Sequence, residues 1–342
     1  MALPNAFRRT ADLAIDLGTS NTRLIARGKG VILEVPTVVA TQQTAKGRVV
    51  VAAGADAKKM LGKTPAGTEV IRPVRGGVVE DFEATEQLLR ALLARGGGRS
   101  LLRPRILVCV PPSHSEVERR AVQESARAAG GRDVLLVASP MAAAIGADLP
   151  VQRPVGSMII DVGGGRTEVA VISLGGMVVS KSIPIAGDAL DEAISAWLRR
   201  KHGLLVGDRT AEAVKMRAGC AVLVDPPLIT RIRGRDLAEG GPRELDIGSS
   251  DVCGAISDTI ARIREVVLEV LQLTPPELAG DILERGVILC GGTARLRGLD
   301  QVLRETCGLP VLEADEPMRC VANGAARLLE DPALFERVVF QA

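Results

Sequence analysis

Short runs of Val, Ile, Leu and Ala broken by glycine alternate along this chain with stretches whose apolar residues recur every three or four positions. The short runs have strand length and the longer stretches helix period. Strands are predicted at 13–15, 22–26, 31–33 and 37–40. Residues 41–71 are polar and glycine-punctuated, with a short helix near 56–61. A helix follows over 82–94, with Phe82, Leu88, Leu89 and Leu92 roughly on one face and Gly96-Gly97-Gly98 stopping it. Next come a strand at 106–110, a helix over 115–129 and a strand at 134–138. Ser113 and Glu116 have the spacing of a capping box. The second half repeats the scheme, with strands at 157–161, 168–173 and 177–183. The helix after them carries a core stripe of Leu190, Ala193, Ile194, Trp197 and Leu198. A helix over 211–217 and a β-rich stretch over 221–247 follow. Ile256, Ile260, Ile263, Val267 and Val270 line one long helix that Pro275-Pro276 ends. These stripes suit packing against the sheets better than assembly between chains.

Two of the strand–loop units look alike. Leu13-Ala14-Ile15-Asp16 runs into Leu17-Gly18-Thr19-Ser20-Asn21-Thr22, and Met158-Ile159-Ile160-Asp161 runs into Val162-Gly163-Gly164-Gly165-Arg166-Thr167. The aspartates stand 145 residues apart, 161 minus 16, which is the mark of a duplicated half-molecule. In each copy a second strand leaves the loop, unlike a Rossmann or P-loop site, where a helix follows the glycines. Gly62-Lys63-Thr64 lacks the upstream strand and glycine of a P-loop. Strand, Asp, turn and Gly also make an ordinary hairpin. The pair of copies argues for more. Glycines let backbone N–H groups approach an anion, and Thr19, Ser20, Asn21 and the run Gly163, Gly164, Gly165 supply such donors. Two loops facing each other would clasp a nucleotide's phosphates. Asp16 and Asp161, at the strand ends, would sit where hydrated Mg²⁺ is held through water. A third loop, Gly291-Gly292-Thr293-Ala294, follows the strand 286–290 and precedes an expected helix, whose N-terminus suits an anion or a ribose edge.

Composition narrows the field. The chain has 342 residues, enough for two domains, and 46% are apolar. Aromatics are 1%, with no Tyr, so the cores are aliphatic and base stacking on nucleic acid is set aside. A formal charge of +2 gives no polyanion signal. Cys109, Cys220, Cys253, Cys290, Cys307 and Cys320 lack metal spacing and read as reduced thiols of a cytoplasmic protein. With only His114 and His202, a histidine metal site is not expected. No run of about 18 apolar residues spans a membrane. Leu3, Phe7, Arg8 and Arg9 make a small amphipathic start that reads equally as a frayed tail.

The ordered set of motifs resembles the actin, Hsp70 and sugar kinase superfamily, and within it the MreB family of bacterial actin-like proteins. The resemblance runs from about residue 12 to 330. Besides the two loops it is carried by Val117-Glu118-Arg119-Arg120-Ala121, Pro140-Met141-Ala142-Ala143-Ala144-Ile145-Gly146 and Cys320-Val321-Ala322-Asn323-Gly324. It implies an α/β, actin-like ATPase fold, with duplicated ribonuclease H-like halves around a nucleotide cleft. The expected first domain is 1–145 with 310–342, including a small subdomain near 32–71. The second is 146–309, with its subdomain near 182–247. ATP and Mg²⁺ are the implied cofactors. Asp16, Gly18, Thr19, Ser20, Asn21, Asp161, Gly163, Gly164, Gly165 and Arg166 are expected on the phosphates and metal. Glu212-Ala213-Val214-Lys215 resembles the adenosine-binding helix, though Glu212 and Lys215 alone would read as a surface ion pair. Gly291, Gly292, Thr293 and Ala294 close the base side. Glu118 takes the water-orienting role, against its plain reading as a solvated acid beside Arg119 and Arg120.

The chain departs from the family pattern at three points. Arg166 stands where a small hydroxyl is usual, Ser139 precedes Pro140 in place of Glu, and Thr293 replaces a third glycine. Nucleotide binding tolerates these changes; turnover is put in question, and a divergent paralogue is one reading. The implied function is an ATP-dependent cytoskeletal protein with at most slow hydrolysis. It forms homopolymeric filaments at the inner face of the plasma membrane. Its implied partners are the membrane proteins of cell-wall elongation, and its product is rod shape. Arg99-Ser100-Leu101-Leu102-Arg103-Pro104 is the membrane-contact candidate, unless Leu101 and Leu102 begin the next strand. A small-molecule kinase of the same superfamily is the alternative, and an Hsp70-like chaperone a weaker one.

Overall fold

The computed structural model describes residues 12–45, 47–96 and 103–340. They form two compact units. One contains residues up to 157, with 172–180 and 319 onward; the other contains 158–171 and 181–318.

The first unit is built on a five-stranded sheet in the order Asp133–Ala138, Arg105–Val110, Leu13–Leu17, Asn21–Ala26, Gly30–Pro36. The last three are an antiparallel meander, and the first two run parallel to Leu13–Leu17. Period-two alternation sorts the side chains. Leu13, Ile15 and Leu17 join Leu88, Leu89, Leu92, Val122 and Ala126 in one buried cluster under the helices Phe82–Gly96 and Glu116–Ala128. Ala14 and Asp16 fall on the opposite face. A separate three-stranded sheet, Val39–Thr44 with Gly47–Ala53 and Thr68–Ile71, covers part of residues 39–71.

The second five-stranded sheet has the same order when read from its opposite edge: Gly176–Ile183, Thr167–Ser173, Ser157–Val162, Val287–Cys290, Val311–Glu313. The duplication reaches single residues. Asp16 pairs with Cys109 on its parallel neighbour, and Asp161 pairs with Cys290. Gly18 N donates to Asn21 O at 3.2 Å, and Gly163 N donates to Arg166 O at 2.9 Å. Leu190, Ile194 and Leu198 of Gly187–His202 are buried, as are Val252, Ile256, Ile260, Ile263 and Val267 of Ser249–Leu273. A small sheet joins Leu204–Leu205, Ile229–Asp236 and Pro242–Gly248.

Three local expectations change. The capping box is Ser115 with Glu118, because Ser115 keeps extended backbone and the helix begins after it. Trp197 is half-buried at the edge of its stripe, with Lys201 Nζ 5.0 Å from its ring centre. Residues 221–228 hold no strand, since Pro226-Pro227 removes two ladder donors in succession. Among the described residues no helix is long and apolar enough to cross a membrane. Leu3, Phe7, Leu101 and Leu102 lie outside the described residues.

In the first unit the helices Ser139–Gly146 and Cys320–Glu330 cross at glycine. A Cβ on Gly324 would meet the Ala142 carbonyl, and one on Gly146 would meet the Cys320 carbonyl. The obstacles are backbone, so they cannot rotate away. Gly324→Ala is therefore expected to cost about 1–3 kcal/mol, as overpacking does, and to lower Tm in calorimetry. An unchanged Tm would show that the helices part without cost.

Candidate functional site

In the second unit, three segments meet at one carbonyl. Gly163 O accepts from Thr293 Oγ1 at 2.7 Å and from Gly187 N at 3.3 Å. Asp188 N donates to Gly164 O at 2.6 Å. The hairpin loop, the start of the helix Gly187–His202 and the turn after Cys290 are thus bonded together. That turn, Gly292–Arg295, is a single 3₁₀ turn rather than the start of a longer helix. The helix that follows begins only at Leu299.

Close approach explains the glycines. Gly291 has φ +88°, and a Cβ there would strike the Val162 carbonyl and Asp161 Oδ1. A Cβ on Gly187 would come within 2.9 Å of Thr293 Oγ1 and 3.3 Å of Lys215 Nζ. Asp161 therefore lies beneath a backbone cradle that a side chain would fill. Among the described residues no three His, Cys, Asp or Glu are grouped to hold a metal. An aspartate carboxylate suits Mg²⁺, which keeps several waters and takes oxygens from phosphate.

On the helix Asp208–Ala218, Ala211 and Val214 are buried, and Glu212, Ala213 and Lys215 are half-buried. Lys215 Nζ donates to Gly187 O and Asp191 Oδ2, both at 2.8 Å. Its ion-pair partner is thus Asp191, on the neighbouring helix, rather than Glu212. Burial pushes the Asp191 carboxyl up to about 6, against the pull of Lys215. Arg166 Nη1 donates to Ser182 Oγ at 3.0 Å, so its guanidinium is held on its own sheet.

The first unit carries Asp16, Gly18, Thr19, Ser20, Asn21 and Glu118. Thr37 Oγ1 donates to Gly18 O at 2.7 Å and lies 2.8 Å from Thr22 Oγ1, pinning the loop. Gly77 N donates to Thr19 Oγ1 at 3.0 Å, and His114 Nε2 lies 2.9 Å from Gly77 O. Glu118 closes the capping box: its Oε2 accepts from Ser115 N at 2.7 Å and from Ser115 Oγ at 2.8 Å. The carboxylate implied for water orientation thus also satisfies a helix N-terminus. Asp16 Oδ2 accepts from Arg23 Nη1 at 2.9 Å.

Sequence reasoning missed Arg23, Thr37, Gly77, His114, Gly187 and Asp191. Arg23 had a signal: it stands as far after the Gly18–Asn21 turn as Asp16 stands before it. Gly187-Asp188 had one too, a Gly-Asp pair opening a helix behind a strand. Gly77 and His114 had none, since their link to Thr19 is purely tertiary.

The family model described as MreB/Mbl protein matches residues 10–337. The chain is 48% identical over 323 residues to the cell shape-determining protein MreB of Escherichia coli (strain K12), covering 93% of each. The solved structure of MreB5 of Spiroplasma citri bound to ADP superposes with a TM-score of 0.89 at 32% identity, over 96% of this chain and 98% of that one. MreB5 bound to AMPPNP gives 0.88 at 33%, over 95% and 96%.

The Asp191 shift yields a test. Its folded pKa lies above the unfolded value, so ionising it between about 4 and about 6 costs stability, and the favourable contribution is present only below that window. Carboxyl carbon NMR of the nucleotide-free protein should show one aspartate titrating near 6. In Lys215→Met that midpoint should rise, because the opposing cation is gone. A fall would show that Lys215 does not face Asp191.

Proposed function

The chain belongs to the MreB/Mbl family of actin-like cell-shape proteins, and we propose that it binds ATP with Mg²⁺ and assembles into filaments at the inner face of the cytoplasmic membrane. Family membership sets aside the small-molecule kinase. The observation that carries the nucleotide reading is the junction at the Gly163 carbonyl, where Gly163, Gly187 and Gly291 keep a loop bare of side chains beside Asp161. Relatives of the same fold, MreB5 with ADP and with AMPPNP, support it.

The ligands in this reading are the loop residues Gly18, Thr19, Ser20 and Asn21, with Gly163, Gly164, Gly165 and Arg166 as further phosphate donors. Glu212, Ala213, Val214 and Lys215 take the nucleoside, and Gly291, Gly292, Thr293 and Ala294 its base side. Asp161 faces Mg²⁺ through water. The metal would neutralise phosphate charge. Glu118 orients the attacking water. Hydrolysis is slow, since Arg166 adds a fixed cation that favours ground and transition states alike. Leu101 and Leu102 anchor the filament to lipid, many weak contacts adding by avidity. Membrane proteins of cell-wall elongation are the partners.

Sedimentation tests the reading. With ATP and Mg²⁺ the parent should pellet, and it should carry anionic liposomes with it. Gly164→Val, which places a branched side chain where backbone meets phosphate, should lose ATP-dependent pelleting while keeping its fold. Leu101→Ser with Leu102→Ser should pellet alone but release the liposomes. A parent that stays in the supernatant with ATP ends the filament reading.

Phosphate release tests the chemistry. Arg166→Thr should hydrolyse ATP faster than the parent at saturating ATP. Glu118→Gln, which preserves the capping box but removes the negative charge, should remove most of that gain. If Arg166→Thr is slower than the parent, Arg166 is a catalytic cation.

A further inference from the structure

The two glycine hairpins share a backbone and differ in charge. Asp16 is the register partner of Arg23, and Arg23 is the register partner of Glu34. Directly paired residues point to the same face, so the three side chains form one row across three strands. Arg23 Nη1 donates to Asp16 Oδ2 at 2.9 Å, and Nη2 donates to Glu34 Oε1 at 3.0 Å. Arg23 is 7% exposed, and its Nε has no hydrogen-bond partner among the described residues. The guanidinium is spent on the two carboxylates. Arg319 Nη2 stands 3.9 Å from Glu34 Oε2 at the far end of the row.

The second hairpin lacks this arginine. Arg23 stands seven places after Asp16 (23 minus 16), and the residue seven places after Asp161 (168 minus 161) is Glu168. Glu168 is 6% exposed and Asp161 9%. The position that holds a buried arginine in one hairpin thus holds a buried glutamate in the other.

This contrast bears on the metal. A carboxylate that helps hold Mg²⁺, directly or through water, must offer net negative charge. Asp16 gives one oxygen to a buried guanidinium, whose charge repels a dication. Burial also pushes the Asp16 carboxyl above the usual carboxylate range, and Arg23 opposes that rise. Asp16 does not fit the metal role that the family resemblance implied for it.

We propose that Arg23 is a built-in counter-ion that withdraws Asp16 from the metal, so that Mg²⁺ affinity in this chain rests on Asp161. Arg23 is then a specificity-determining residue that sets how much free Mg²⁺ nucleotide binding needs. The proposal rests on the ATP–Mg²⁺ reading of the same site.

The experiment titrates Mg²⁺ against binding of a fluorescent ATP analogue, with circular dichroism to check each fold. Arg23→Met frees the Asp16 charge, and the Mg²⁺ midpoint should fall about tenfold, the scale of one close charge interaction. Arg23→Lys keeps the cation, so its midpoint should stay within about threefold of the parent on the same scale. An Arg23→Met midpoint equal to or above the parent's overturns the proposal. If Arg23→Met does not fold, two other variants decide. Asp161→Asn should raise the midpoint about tenfold, whereas Asp16→Asn combined with Arg23→Met, which removes the pair together, should stay within about threefold of the parent. A tenfold rise in that double variant overturns the proposal. A parent that binds no analogue at any Mg²⁺ concentration overturns the ATP reading itself, a result distinct from any shift in midpoint.

Discussion

The candidate site of the second unit depends on the hydrogen bonds gathered at the Gly163 carbonyl. A carbonyl has two lone pairs, and here Thr293 Oγ1 and Gly187 N take both. That one atom ties a β-hairpin loop to a helix start and to a 3₁₀ turn far along the chain. For the three segments to come so close, side chains must be absent at the contact. Gly187 and Gly291 meet that demand, and Gly291 does so at a positive φ that other residues adopt only at a cost. Thr293, which departs from the family's usual third glycine, supplies one of the two donors. What looked like an irregular residue in a glycine loop is a strut of the loop itself.

The duplication explains why two such loops exist, and it also limits how far they are alike. Strand order, the Asp-to-Cys pairing and the closing turn bond are the same in both copies. Backbone bonds fix these features, and they survive wide changes of side chain. The groups that brace the loops differ. Thr37 holds the first loop through Gly18 O, and Gly187 with Thr293 holds the second through Gly163 O. Charge differs more sharply, with Arg23 against Glu168. The two copies thus share a hydrogen-bonded frame while their electrostatic environments differ.

Much of this was legible in the chain because it is local. Strand–Asp–Gly loops, the stripe of Leu190, Ile194 and Leu198, and the long helix ended by Pro275-Pro276 follow from period and punctuation. Features that require a register or a long-range contact were not legible. The Asp16–Arg23–Glu34 row becomes visible only once the hairpins are aligned residue against residue. Lys215 was read beside Glu212, three positions away, yet its partner is Asp191 on another helix. The capping box was placed two residues early because Ser113 and Ser115 both precede a Glu by three, and only the extended backbone of Ser115 separates them.

Glu118 shows how a fold can give the carboxylate implied for water orientation a structural task as well. At the third position of its helix it accepts two bonds from Ser115, which satisfies donors that the helix itself leaves unmet. An acid in that place is already stabilised by the positive end of the helix. The two bonds fix its rotamer. The bonds that close the capping box therefore hold the Glu118 side chain in one position, so that any part it takes in the proposed site starts from a fixed geometry.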